Sequence, residues 1–240
     1  MRRALLLAAP IALAGVLLAG CNDTDGAKPA ASAATSVAPA GNGVEALEAT
    51  EILTKAKDAL GKAGSYRIKG EMTENKMKLD IRVAGKDIVG TITMGGASID
   101  LLSVGGATYF KADEAFWTSQ MGEQGAALGK LVGTKWIKVP ADNKEFGDFF
   151  KIADVNELLK PEGTIGKGKV ETINGASAIA LTEGAEKGSL YVATTGEPYP
   201  LRLAGPAGEG QIDFTDFGAK FDELKAPAEA DVFDLGALMK

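Results

Sequence analysis

The chain has 240 residues, with 26 basic and 32 acidic side chains, one cysteine and no histidine. A net charge of −6 without a basic cluster argues against nucleic-acid binding, which needs Lys and Arg gathered on one face. The absence of histidine removes Ser-His-Asp and Cys-His catalysis, His-ligated zinc and the commonest general base. A single cysteine excludes an intrachain disulfide, so stability must come from a core.

Met1-Arg2-Arg3 is a positive start, and Ala4 to Leu18 is small or apolar throughout. Leu18-Ala19-Gly20-Cys21 closes this run with small residues ahead of the cysteine, the arrangement of an export leader with a cleavage site. Residues 1–20 are therefore expected to be a lipoprotein signal peptide, with Cys21 as the lipidated first residue of the mature chain. The expected address is the outer face of the cytoplasmic membrane. The mature chain is acidic and gains nothing from anionic headgroups, so acyl chains, palmitate among them, must hold it. Stable anchoring takes two chains or more at about 0.8 kcal/mol per buried methylene.

From Asn22 to Gly43 the residues are mostly Ala, Ser, Thr, Pro, Gly and Asn, too poor in apolar bulk to repay ordering. Residues 21–43 are read as the lipidated cysteine and a tether reaching about 25 Å as a random coil. A single domain is expected over residues 44–240.

Val44 to Lys62 reads as an amphipathic helix, with Glu45, Glu48 and Glu51 early and Lys55, Lys57 and Lys62 late, as the helix dipole favours. At Ser65 the period changes to two. Tyr66, Ile68, Gly70 and Met72 alternate with charged residues, as do Met77, Leu79, Ile81 and Val83. Glu74-Asn75 sits between these runs as a hairpin turn. Ile88, Gly90, Ile92 and Met94 form the next apolar face, then Ile99 and Leu101, then Ala107 to Lys111. Five short strands with tight turns predict an antiparallel meander, apolar on one side. Ala112 to Gly133 predicts one or two short helices, and Lys135 to Pro140 a strand. Phe146, Phe149, Phe150, Ile152, Val155, Leu158 and Leu159 suggest more helix, ending before Pro161. A second sheet-like section follows at Lys167–Ile173, Ala176–Thr182, Ser189–Thr194, Tyr199–Ala204 and Gly210–Phe217, with Asn174-Gly175 as a hairpin turn. A short apolar segment at Val232, Phe233 and Leu238 closes the chain.

The apolar strand face has two readings. It is either a core under the helices or the lining of a hollow for an apolar ligand. Gly70 and Gly90 on that face leave space or permit strong curvature. Met72, Met77, Met94 and Met121 suit irregular apolar partners. Phe116 and Trp117, with Phe146, Phe149 and Phe150, are placed to cover an opening. Catalytic groupings are thin. Asp213, Asp216, Asp222 and Glu223 lie close in sequence, but Asp213 alternates with Ile212 and Phe214 and should face solvent. Asp216-Phe217-Gly218 lacks the companion motifs of a kinase, and Gly166-Lys167-Gly168-Lys169 lacks P-loop spacing.

The lipobox, the polar tether, the amphipathic helix, Ser65-Tyr66-Arg67, Gly106-Ala107-Thr108-Tyr109-Phe110-Lys111, Lys135-Trp136-Ile137-Lys138-Val139-Pro140 and Pro198-Tyr199-Pro200-Leu201-Arg202 run in one order. In this the chain resembles actinobacterial LppX/LprA/LprF/LprG-type lipoproteins over essentially the whole mature domain. The resemblance implies an α+β, LolA/LolB-like fold: a strongly curved antiparallel half-barrel with helices across its concave face. It also implies an enclosed cavity for the acyl chains of a lipid or lipoglycan that is carried or presented in the cell envelope. The residues expected to line it are Tyr66, Ile68 and Met72; Met77, Leu79, Ile81 and Val83; Ile92, Met94, Ile99 and Leu101; and Tyr109, Phe116 and Trp117. No catalysis, metal or cofactor is expected of such a carrier. Its partners would be the lipid, the membrane through Cys21, and a membrane transporter or sensor, the domain itself being a monomer. The rival reading is a packed, ligand-free lipoprotein module that regulates a membrane sensor or envelope assembly by protein contact.

Overall fold

The computed structural model of the chain describes residues 40–73, 76–140, 150–151, 154–184 and 188–234. The leader, Cys21, most of the tether, the Glu74-Asn75 turn, Phe146, Phe149, Ile152 and Leu238 lie outside the described residues.

The N-terminal helix starts later than the periodicity predicts. Asn42 is tied to the second half of the chain, its Nδ2 donating to the Ala193 and Gly196 carbonyls at 3.0 and 3.1 Å. A left-handed Gly43 then turns Val44 into the core, within a single 3-10 turn at Val44–Ala46. Helix α1 begins only at Ala49–Ala63, where the Glu48 N–H donates to Glu51 Oε2 at 3.2 Å. Ile52, Ala56, Ala59 and Leu60 bury one stripe of it, and Gly64 in the left-handed region ends it.

Strands β1 (Ser65–Met72), β2 (Met77–Ala84), β3 (Asp87–Met94), β4 (Ala97–Val104) and β5 (Ala107–Ala112) follow as the alternation predicts. Helix α2 (Glu114–Val132) breaks at Gly122, whose φ of 60° and ψ of −137° are not helical, so it is in effect two short helices where one or two were expected. β6 is Trp136–Val139, and α3 is one turn, Val155–Leu158. β7 (Gly166–Ile173), β8 (Ala176–Thr182), β9 (Ser189–Ala193), β10 (Pro200–Ala204) and β11 (Gly210–Thr215) form the second meander. The closing apolar segment is a strand, β12 (Val232–Asp234).

The two meanders are one sheet. Its order is β12-β6-β5-β4-β3-β2-β1-β11-β10-β9-β8-β7, open at both edges and curled in the manner of a half-barrel. Every pairing is antiparallel except β12 on β6, which is parallel. The seam is β1 against β11, with Ile68 opposite Phe214 and Gly70 opposite Ile212. Successive cross-strand partners build a continuous inner row, Ile137-Phe110-Leu101-Gly90-Ile81-Ile68-Phe214. α1 packs over β1, β9 and β10, and α2 over β4 and β5.

The outer face carries ion pairs between neighbouring strands. Arg67 Nε donates to Asp80 Oδ1 at 2.7 Å while its second nitrogen bonds Oδ2, and Arg202 Nε lies 2.6 Å from Asp213. Arg67's hydrogen bond holds the Asp80 carboxyl below the usual carboxylate range. A depressed native pKa adds stability that is present above the unfolded value of about 3.9 and is lost as pH falls through the native one. Asp80→Asn is thus expected to cost about 1–2 kcal/mol at neutral pH, since the pair is only half-buried. Urea melts should show that cost shrinking below about pH 4; an equal cost at pH 2 and pH 7 counts against the pair.

Candidate functional site

The centre of the inner face is filled. Ile68 and Ile81 on the strands, and Ile52 and Ala56 on α1, have 0% exposure, so no water-sized space adjoins them. Tyr66, Leu79, Val83, Ile92, Ile99, Leu101 and Trp117 are buried in the same cluster, and Met72, Met77 and Phe116 pack half-buried against it. Met94 is 40% exposed at its strand end. Tyr109 stands on the opposite face: it pairs with Leu102 and Lys138, whereas its neighbour Phe110 pairs with Leu101 and Ile137. It cannot line the helix side, because successive strand residues point to opposite faces.

Gly70 and Gly90 do not create space. A β-carbon on Gly70 would stand 2.6 Å from Ile212 Cα, and one on Gly90 2.6 Å from Ile81 Cα. Both let neighbouring backbones close in, which is the curvature reading.

Open apolar space lies instead beneath the second meander. A cleft of about 480 Å³ is walled by Leu53 of α1, by Leu158, Leu159, Pro161 and Ile165 of α3 and the connector into β7, by Leu181, Leu190 and Leu203 of the sheet, and by Pro206 of the turn after β10. Its rim carries Lys160, Glu162, Glu183 and Glu209. The Glu162 N–H donates to Glu183 Oε1 at 2.7 Å, tying the connector to the end of β8. Sequence reasoning placed these strands but assigned them no site. The signal was present, since Ile179, Leu181, Leu190 and Val192 alternate as the first meander does.

A second cleft of about 430 Å³ lies at the far end of α1, among Leu60, Gly64, Tyr66, Val83, Ile88, Phe150 and Val155. Burial, and then the nearby Asp154 carboxylate, push the Tyr66 phenol up, so it stays neutral and apolar in character. The α1 residues on the two clefts, Leu53, Lys57, Leu60 and Gly61, share one helical stripe, and α3 contributes to both clefts.

A larger recess of about 660 Å³ lies on the outer face, and most of the side chains around it are charged or hydroxylated, among them Lys69, Glu71, Lys78, Asp80, Thr91 and Asp213. The carboxylates that cluster in sequence separate here: Asp213 faces Arg202, Asp216 faces Arg67 and Glu223 faces Arg82. Among the described residues no helix is long and apolar enough to cross a membrane, and no group of three His, Cys, Asp or Glu could hold a metal.

No protein-family model matches the chain, and no curated protein matches it. Among solved structures, LprF from Mycobacterium bovis aligns at 14% identity and a TM-score of 0.49, covering 75% of this chain and 97% of that one. Lipoprotein LppX from Mycobacterium tuberculosis aligns at 14% and 0.43, covering 70% and 92%. An uncharacterized conserved protein from Thermus thermophilus aligns at 11% and 0.40, covering 78% and 98%. The first two bear names of the family that the sequence resembles.

Proposed function

We propose that this chain is an exported lipoprotein, anchored through acylated Cys21, that binds acyl chains of a lipid or lipoglycan and carries or presents it in the cell envelope. The observation that carries the reading is the 480 Å³ cleft walled by leucine, isoleucine and proline from α1, the α3 connector and β8–β10. Its volume is that of a ligand site, in the range of about 300–1,000 Å³. The task is one of burial. Drawing one acyl chain of about fifteen methylenes from a bilayer into water costs about 12 kcal/mol at about 0.8 per methylene, and apolar walls offset it without any catalytic group. The lipobox keeps the domain beside its source of lipid, and a membrane transporter or sensor is the class of partner that would receive it.

Native mass spectrometry of the chain purified from its own host tests the reading. A retained acylated molecule is expected, together with transfer between labelled vesicles. Leu53→Trp should fill the cleft and lower the retained lipid at least tenfold while the melting temperature moves by only a few degrees, because Leu53 is half-buried. Repeated recovery of ligand-free protein with no vesicle transfer would favour the rival, a packed regulatory module. The filled interior around Ile68 and Ile81 is the observation on that side.

A further inference from the structure

The 430 Å³ cleft at the far end of α1 differs from the 480 Å³ cleft in the charge of its rim. One cross-strand row crosses its floor from β1 to β4, Tyr66-Val83-Ile88-Ser103. Cross-strand partners share a face, so Ser103 stands on the same side as buried Ile88. On β4 it follows Ile99 and Leu101 on the inner face, and the floor turns polar there. Among the described residues the Ser103 hydroxyl has no protein hydrogen-bond partner. Leu60 of α1, Phe150 and Val155 complete the apolar wall. The rim carries Lys57 of α1 and Lys86 of the β2–β3 turn against one carboxylate, Asp154. Neither lysine enters an ion pair among the described residues. Asp154 is engaged in capping α3, its Oδ1 accepting from the Asn156 N–H at 2.8 Å. The 480 Å³ cleft has the reverse balance, Lys160 against Glu162, Glu183 and Glu209. In a chain of net charge −6, a rim with a surplus of lysine is a departure from the background. The carbonyl end of α1 disfavours an anion, but the Gly61 carbonyl is taken by the Gly64 N–H and the dipole field falls off within a turn.

We propose that this cleft takes a lipid with an anionic head, a carboxylate or a phosphate. The alkyl chain lies on Val83, Ile88 and Phe150. The Ser103 hydroxyl donates to an oxygen of the head, and the Lys57 and Lys86 ammonium groups balance its charge. The three glutamates on the rim of the 480 Å³ cleft repel such a head, so the two clefts sort lipids by charge. The inference rests on the acyl-binding reading above.

Calorimetric titration of the purified chain tests this with three lipids of one chain length, each below its micelle concentration. They are palmitate, 1-palmitoyl lysophosphatidylglycerol and the neutral 1-palmitoylglycerol. At low salt at least one anion is expected to bind about tenfold more tightly than the neutral lipid, the worth of one charge-assisted hydrogen bond. Which anion does so tells a fatty acid from a phospholipid. The advantage should shrink to about threefold or less at about 1 M salt, where the screening length is about 3 Å. Lys57→Gln with Lys86→Gln should bring the anion to within about twofold of the neutral lipid and leave neutral binding unchanged. Ser103→Ala should weaken the anion about threefold and spare the neutral lipid. Lys55→Gln with Lys62→Gln removes the same charge from α1 away from the cleft and should keep the advantage. Anions that bind no more tightly than 1-palmitoylglycerol overturn the proposal and leave the acyl-binding reading standing. So does an advantage that survives the Lys57 and Lys86 changes, or one that the Lys55 and Lys62 changes abolish equally. Binding of none of the three lipids overturns the acyl-binding reading itself.

Discussion

Gly70→Val is expected to yield no folded protein. A β-carbon there would overlap the Gln211 carbonyl oxygen and stand 2.6 Å from Ile212 Cα. Both obstacles are backbone, so no side-chain rotamer relieves the clash. The strands would have to part at the β1–β11 pairing, the one ladder joining β1–β6 and β12 to β7–β11. Losing that seam removes cohesion from the whole sheet, and a domain whose net stability is about 5–15 kcal/mol cannot absorb it. Circular dichroism and near-ultraviolet spectra of the soluble fraction check this. The control is Gly61→Ala in α1, where nothing lies within 4 Å of the added carbon. That change should stabilise by about 0.5–1 kcal/mol through helix propensity and the unfolded state. A Gly70→Val chain with native spectra and an unshifted melt would mean that the seam does not hold the halves together.

The same seam marks where sequence reasoning stops. Each strand of the first meander was legible because its partner is a near neighbour and alternation is local: Met77 to Val83 reads as one face whatever lies beyond. The pairing of Gly70 with Ile212 is not local. Nothing in either segment says that two meanders become one sheet, since the signal lies in register between strands some 140 positions apart. β12 illustrates the same limit: Val232 and Phe233 look like a closing apolar patch, and their parallel placement on β6 depends on a partner read as an isolated short strand. The start of α1 was misplaced for a more local reason. Val44 and Leu47 fit a helical stripe, but Asn42 is held by the Ala193 and Gly196 carbonyls, and the chain must descend into the core before it can coil.

The candidate site was half legible. Period two shows which face of a strand is apolar, but not how much of that face a helix will cover. The Ile52, Ala56 and Leu60 stripe covers the face that includes Ile68 and Ile81, so the residues with the cleanest alternation became core. Open space remains where coverage falls short, at Leu53 and beyond α3, in strands whose alternation is shorter. Tyr109 shows the parity error plainly, one position from Phe110 and on the other side of the sheet.

A pair of charges separates core from site. Ile81→Asp is expected to unfold the chain, because Ile81 has 0% exposure and sits between Ile68 and Gly90 across the ladder. A carboxylate there has no cation within the inner row, and an uncompensated buried charge costs about 3–5 kcal/mol before lost packing is counted. Leu203→Asp sits at the same kind of strand position, opposite Ile212 and Leu190, but on the wall of the 480 Å³ cleft and only half-buried. Water reaches it, so the fold should survive with a loss of about 1–2 kcal/mol, while acyl binding falls at least tenfold. The two measurements are an equilibrium melt and lipid retention in native mass spectra. An Ile81→Asp protein that melts like the parent yet sheds its lipid would reverse the assignment: the first meander would then be the lining, and the cleft at Leu203 an incidental gap.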